Sequence, residues 1–166
     1  MRQRLVKQSA FTLIELIVII LLLGILSAYA VSRYSGTSGF SSVTTQSEVL
    51  ASLRLTQNRA MQRTDLCNRW LVSNNQAQQV FPQTISSAVC TTSLPNPATD
   101  SSFVDAAAND ITLTLTNNDG SHFLDFDSLG RATQCLTANC TVTLNNLQSG
   151  ESRQVCINSE GYIYAC

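Results

Sequence analysis

Residues 9–26, SAFTLIELIVIILLLGIL, form a nearly unbroken apolar run that carries one carboxylate, Glu15, close to its start. Counted from Phe11 to Val31 the run has 21 residues, with Thr12, Glu15 and Ser27 as its main polar members. Wound as a helix it spans about 30 Å, the thickness of a bilayer's hydrocarbon core. Arg2, Arg4 and Lys7 precede it and no acidic residue does so before Glu15, a charge bias that predicts a cytoplasmic N-terminus and places the rest of the chain across the membrane. A cleaved secretory signal fits less well, because the run exceeds a usual signal core and the bulky Tyr29, Arg33 and Tyr34 follow it. A plain single-pass anchor leaves Glu15 unexplained, since an unpaired charge in lipid costs several kcal/mol.

Outward from this run the chain changes character. It has 166 residues and a net charge of −1, enough for one domain with a real core plus an added element. From residue 41 onward there are six arginines, no lysine and ten Asp or Glu, in a background rich in Ser, Thr, Asn and Gln. This is the composition of a polar, mildly acidic exported domain, and its charge balance does not favour electrostatic binding of nucleic acid.

The stretch AFTLIELIVIILLLGIL resembles the class III signal of type IV pilins and pseudopilins. The resemblance implies removal of a basic leader by a prepilin peptidase between Ala10 and Phe11, N-methylation of Phe11, and Glu15 as the fifth mature residue. Ala10 stands where the family usually has Gly, another small residue. The resemblance also gives Glu15 a role: in a filament whose apolar helices bundle away from water, the α-amino group of a neighbouring Phe11 would neutralise it and set subunit register.

Beyond the run, RYSGTSGFSSVTTQ (residues 33–46) contains Gly36, Gly39 and many poor helix formers, which predicts a kink or interruption. Helical periodicity returns from Val43 to about Leu66, with Val43, Leu50, Leu53, Ala60 and Met61 forming an apolar stripe to lie against a sheet. After Cys67 the pattern is that of strands. RWLVSNNQAQQVFP reads as two strands around a turn at Ser73–Asn75, and residues 93–102 with Pro95 and Pro97 as a loop. Ile111, Leu113 and Leu115 alternate with threonines, and Asp119-Gly120 is a hairpin dipeptide that would return the chain through Phe123–Phe126. Two more strands and a hairpin turned at Glu160-Gly161 complete the chain.

The FDSLGRA turn and the ending VCINSEGYIYAC resemble the GspH/FimT group of minor pilins and pseudopilins, among them the minor pilins of the mannose-sensitive haemagglutinin (MSHA) pilus. The expected fold class is therefore α+β: a long N-terminal helix, its hydrophobic half transmembrane and its amphipathic half packed on a globular head of antiparallel β-sheet. The expected domains are a leader (1–10), a transmembrane and filament-core helix (11–40) and a periplasmic head (41–166).

Six cysteines, Cys67, Cys90, Cys135, Cys140, Cys156 and Cys166, all follow the apolar run, as suits disulfides in an oxidising compartment. Six allow fifteen pairings. The expected set is Cys135–Cys140 closing a short loop, Cys156–Cys166 tying the C-terminus to the last hairpin, and Cys67–Cys90. A zinc site lacks a second close cysteine pair, and His122 is the sole histidine. No phosphate loop or GxSxG occurs, so no enzymatic activity, cofactor or catalytic residue is expected. Asp119, Asp125 and Asp127 do not keep calcium-loop spacing and read as a solvated hairpin.

The expected function is that of a minor pilin in an MSHA-like type IV pilus, with a role in adhesion or pilus biogenesis. Its expected partners are other pilin subunits, the inner-membrane assembly platform and prepilin peptidase; its expected location is the inner membrane, then the pilus at the cell surface. A type II secretion pseudopilin is one alternative. A DNA-binding minor pilin is another, with Arg69, Arg131 and Arg153 as the candidate basic strip on a head that is otherwise net acidic, so nucleic acid is not the expected partner.

Overall fold

The computed structural model of the protein describes residues 12–34, 37–63, 67–82, 89–95 and 100–166, with side chains of the first helix described as far as Tyr29 and of the second from Phe40. The chain divides into two compact units, residues 1–37 and 38–166.

In the first unit, α1 spans Leu13–Tyr34. Thr12 stands just outside the helix, and the Glu15 N–H reaches both the Thr12 carbonyl at 3.1 Å and the Thr12 hydroxyl at 3.4 Å. Thr12 thus satisfies a donor that the first helical turn cannot, and Glu15 three residues on completes the sequence signature of a capping box. A carboxylate in the first turn also meets the positive end of the helix dipole. The Ser27 hydroxyl folds back onto the Gly24 carbonyl at 2.9 Å, so the helix absorbs its own polar group. Every described side chain from Thr12 to Tyr29 is exposed. Among the described residues no helix is long and apolar enough to cross a membrane.

α2 spans Thr37–Gln62 and, from Ser38 on, opens the second unit. Within the stretch 33–46, where an interruption is expected, α1 ends at Tyr34 and α2 begins at Thr37; from there the backbone is helical through Gly39, and Gly36 lies outside the described residues. Two antiparallel sheets follow. The first has the strand order β3-β2-β1-β5, from Val104–Asp105, Gln76–Val80, Arg69–Ser73 and Phe123–Asp125. The second has the order β4-β6-β7-β8, from Ile111–Thr116, Cys140–Asn146, Ser152–Ile157 and Ile163–Ala165. The head is α+β with antiparallel sheets, as expected.

The β1–β2 hairpin turns through Asn74 and Asn75, at φ of 52° and 60°. Two left-handed central residues match the twist of paired strands, and Asn adopts that conformation more readily than most residues. Asn75 also binds the rest of the head: its backbone carbonyl accepts from Ala106 at 3.1 Å and its side-chain oxygen from Leu113 at 3.1 Å.

Two sequence expectations are corrected. Ile111–Thr116 and Phe123–Phe126 do not form a hairpin with each other. β4 pairs with β6, Leu113 opposite Leu144, while β5 pairs with β1, Trp70 opposite Leu124. The Asp119-Gly120 turn instead carries the chain from one sheet to the other. Asn117 spans that crossing, donating to the Ser121 carbonyl and hydroxyl and to the Phe123 carbonyl. The second correction concerns α2. Leu53 and Ala60 are buried as expected, but Val43 and Met61 are exposed. The buried face is Ser42, Thr45, Val49, Ser52, Thr56 and Ala60, with Leu53 beside it. It keeps helical spacing, yet four of these seven residues are hydroxylic, so apolar periodicity points about a quarter turn away.

Those hydroxyls are tolerated because each is bonded, which removes the penalty of burying a polar group. Ser52 Oγ donates to the Ser102 carbonyl and accepts from Trp70 Nε1 at 2.8 Å. Thr56 Oγ1 donates to the Ser52 carbonyl at 2.9 Å, and Asn109 donates to Thr45 Oγ1 at 3.2 Å. Trp70, fully buried, sits among Val49, Leu53, Leu124 and Val155 in the shared core.

Candidate functional site

Two regions carry the residues that the sequence marks out: the start of α1 and the face of the head that holds α2. Ala10 and Phe11 lie outside the described residues. Glu15 lies in the first turn of α1 and is exposed. Among the described residues its carboxylate has no ion-pair partner. Around it Leu13, Ile14 and Leu16 are 77%, 66% and 59% exposed. An apolar helix with one solvated acid near its capped end offers two things to a partner, greasy surface and a single point of charge recognition.

On the head, α2 is held by side chains that reach backbone carbonyls. Gln46 Nε2 donates to Gln154 O at 2.7 Å, and Arg54 Nη2 to Ile163 O at 2.9 Å. Gln57 Nε2 donates to two carbonyls, Gly130 O and Gly161 O, each at 2.6 Å. Those glycines occupy equivalent places in two turns of one design. In the first, Asp127 Oδ1 accepts from the Leu129 and Arg131 N–H groups at 2.9 and 2.8 Å. In the second, Asn158 Oδ1 accepts from the Glu160 and Tyr162 N–H groups at 3.0 and 2.7 Å. Each turn places glycine fourth, at φ of 80° and 86°, where a side chain is disfavoured. The related segments DSLGR and NSEGY were the visible signal for this pair, though their meeting at Gln57 was not.

All six cysteines are bridged, as Cys67–Cys90, Cys135–Cys140 and Cys156–Cys166, with Cα–Cα distances of 5.2, 5.4 and 5.9 Å. Cys135 and Cys140 are fully buried, whereas Cys166 is exposed.

The head's arginines are largely committed. Arg69 grips Asp125 with two bonds of 2.7 and 2.8 Å and lies over the Phe123 ring. Arg131 grips Asp127 at 2.9 and 3.0 Å, and Arg153 meets Glu151 at 2.6 Å. Arg59 binds Asp100 and Gln79 together, joining α2 to the first sheet. The three arginines of the candidate basic strip are thus each neutralised by a carboxylate, and no strip of free cations results. The same pairs account for Asp125 and Asp127, while Asp119 accepts from the Ser121 N–H at 3.0 Å. Among the described residues no three acidic, histidine or cysteine side chains converge as a metal site.

Burial raises the Asp100 carboxyl, but hydrogen bonds from Ser102 and Arg59 outweigh it and leave it below the usual range. Asp127 follows the same logic, burial opposed by the Arg131 backbone and side chain and by Leu129, with a net lowering.

Against known proteins, the pattern described as the prokaryotic N-terminal methylation motif matches residues 5–31. That match supports a type IV pilin-like protein, and in general terms implies processing by a prepilin peptidase, attachment to the membrane and association with other pilin subunits. It covers the region of Glu15 and most of α1 and leaves the head unmatched. No curated protein and no solved structure matches the chain.

Proposed function

We propose that the protein is a minor pilin of an MSHA-like type IV pilus, of the GspH/FimT type, without enzymatic activity. The leader 1–10 is removed between Ala10 and Phe11 and Phe11 is N-methylated. The segment Phe11–Val31 anchors the subunit in the inner membrane, N-terminus cytoplasmic and head periplasmic, until the assembly platform moves it into the filament. The methylation motif at residues 5–31 carries this reading, and the exposed apolar surface of α1 supports it.

The transfer is physically mild. A helix that leaves lipid for a bundle of like helices exchanges one apolar surrounding for another, so packing and polar contacts decide the order of assembly. Glu15, solvated here, becomes costly once surrounded by apolar helices unless a cation meets it. The Phe11 amine of a neighbour is that cation. The pairing of Arg69, Arg131 and Arg153 with acids weighs against the DNA-binding alternative.

Three measurements test the proposal. Mass spectrometry of the native protein should find an N-methylated Phe11 as its first residue; retention of Met1 in cells with an active prepilin peptidase overturns the reading. Glu15→Ala should insert into the membrane normally yet be recovered poorly in sheared filaments, and wild-type recovery would remove Glu15 from the mechanism. Capture of the cross-linked neighbours separates a pilus from a secretion pseudopilus by the subunits found.

A further inference from the structure

We propose that the Cys156–Cys166 disulfide is a redox-sensitive latch that holds α2 on the head. Three of the side chains that fix α2 to the second sheet reach one element, the β7–β8 hairpin: Gln46 to the Gln154 carbonyl, Gln57 to Gly161 and Arg54 to Ile163, at 2.7, 2.6 and 2.9 Å. These carbonyls serve α2 only while the hairpin keeps its shape. β8 is an edge strand of three residues, too short to hold that shape by its ladder alone. The Cys156–Cys166 bridge closes the end of the hairpin away from the Asn158 turn, beside the Cys166 N–H that donates at 3.2 Å to the same Gln154 carbonyl that receives Gln46. Bridge and helix clamp therefore meet at one backbone group.

The three bridges differ in access. Cys135 and Cys140 are sealed in the core and Cys67 is 6% exposed with its partner Cys90 half-buried, while Cys166 is exposed and Cys156 half-buried. Thiol–disulfide exchange needs an attacking thiolate to reach a sulfur in line, so access sets the order of reduction. A dithiol reductant attacks Cys166 Sγ and forms a mixed disulfide, with Cys156 leaving as thiolate. The second thiol of the reductant then displaces Cys166. Two electrons pass to the bridge, both cysteines end as thiols and the reductant as its own disulfide. Reduced, β8 frays from its C-terminal end and the Ile163 carbonyl leaves Arg54, while the Asn158 turn keeps Gly161 on Gln57. The helix keeps Gln57–Gly130 and the Arg59 contacts with Asp100 and Gln79, so it loosens on one sheet and stays tethered to the other. The inference stands apart from the pilus reading, since it uses contacts within the head alone.

The experiment is a graded dithiothreitol titration of the full chain in detergent micelles, with differential alkylation of cysteines and amide hydrogen exchange read by mass spectrometry at each step. Cys156 and Cys166 should be labelled first while Cys135 and Cys140 remain bonded, and at that step exchange over residues 46–62 should rise about tenfold. Reduction of Cys135–Cys140 or of Cys67–Cys90 first, or unchanged exchange over residues 46–62 once Cys156 and Cys166 are labelled, overturns the proposal. A Cys156→Ala, Cys166→Ala double variant should show the faster exchange without reductant, and parental exchange in that variant overturns it as well. Should the double variant not fold, the titration of the parent protein decides alone.

Discussion

The backbone of Gly161 lies directly against the carbonyl of Gly130, so close that a Cβ added at Gly161 would overlap it. Two turns of the same design are pressed together there, and the Gln57 amide bonds to both carbonyls. Neither turn can move without displacing the other or the helix. Gly161→Ala therefore meets two obstacles, a backbone clash and a φ of 86° that a side chain resists. A loss of about 2–4 kcal/mol is expected, measured as a lowered midpoint of thermal unfolding. Unchanged stability would show that the two turns separate freely.

Gln57→Leu keeps the helix and its length but removes both donors. Two part-buried carbonyls lose their partner, at a cost of about 1–3 kcal/mol. Gln57→Glu should be worse than Leu near neutral pH, because a carboxylate then faces two carbonyl oxygens. Denaturant unfolding of the two variants gives the ranking directly.

Ser52→Ala orphans the Trp70 indole N–H, buried at 0% exposure, and the Ser102 carbonyl at once. A loss of about 2 kcal/mol is expected. Adding Trp70→Phe removes the stranded donor as well, so the double variant should lose less than the sum of the single losses. Strict additivity in a double-mutant cycle would mean that the bond contributes nothing.

Acid should weaken the head through Asp100 and Asp127, whose carboxyls lie below their ordinary range in the fold. A group whose pKa is depressed by folding stabilises above its unfolded pKa of about 3.9 and ceases to do so as pH falls through its folded value. Stability should thus be flat from pH 7 to about 5 and decline below about 4. Asp100→Asn should start lower at neutral pH and decline less steeply in acid. An equal acid slope in that variant would exclude Asp100 as a contributor.

Much of this fold is legible in the sequence, and the parts that are not share a cause. The apolar run, the alternation Ile111–Thr116 and the Asn74-Asn75 turn are local signals, set by residues within one element. The partner of β4 is not local. Asp119-Gly120 satisfies the hairpin pattern, but Leu113 opposite Leu144 and Trp70 opposite Leu124 place the flanking strands in different sheets, which no dipeptide can specify. The buried hydroxyls of Ser42, Thr45, Ser52 and Thr56 were hidden for the same reason, since they look solvated until Trp70, Asn109, Asn146 and Ser102 arrive from distant sequence. At the candidate site, Glu15 is marked by its apolar setting, whereas Gln57 is one of many glutamines until two far-apart glycines meet it.

The crossing at residues 117–122 has a kinetic corollary. Because β4 belongs with strands that follow β5, and β5 with strands that precede β4, neither sheet is a contiguous stretch of chain. A ribosome or translocon that has released residues up to Asp125 has delivered every strand of one sheet and a single orphan of the other. The emerging chain must then hold Ile111–Thr116 unpaired until Cys140–Asn146 follows, and such long-separation closures are the slow steps of folding. That interval, with a bare apolar-and-threonine strand exposed, is when a nascent head is most open to aggregation or to a chaperone.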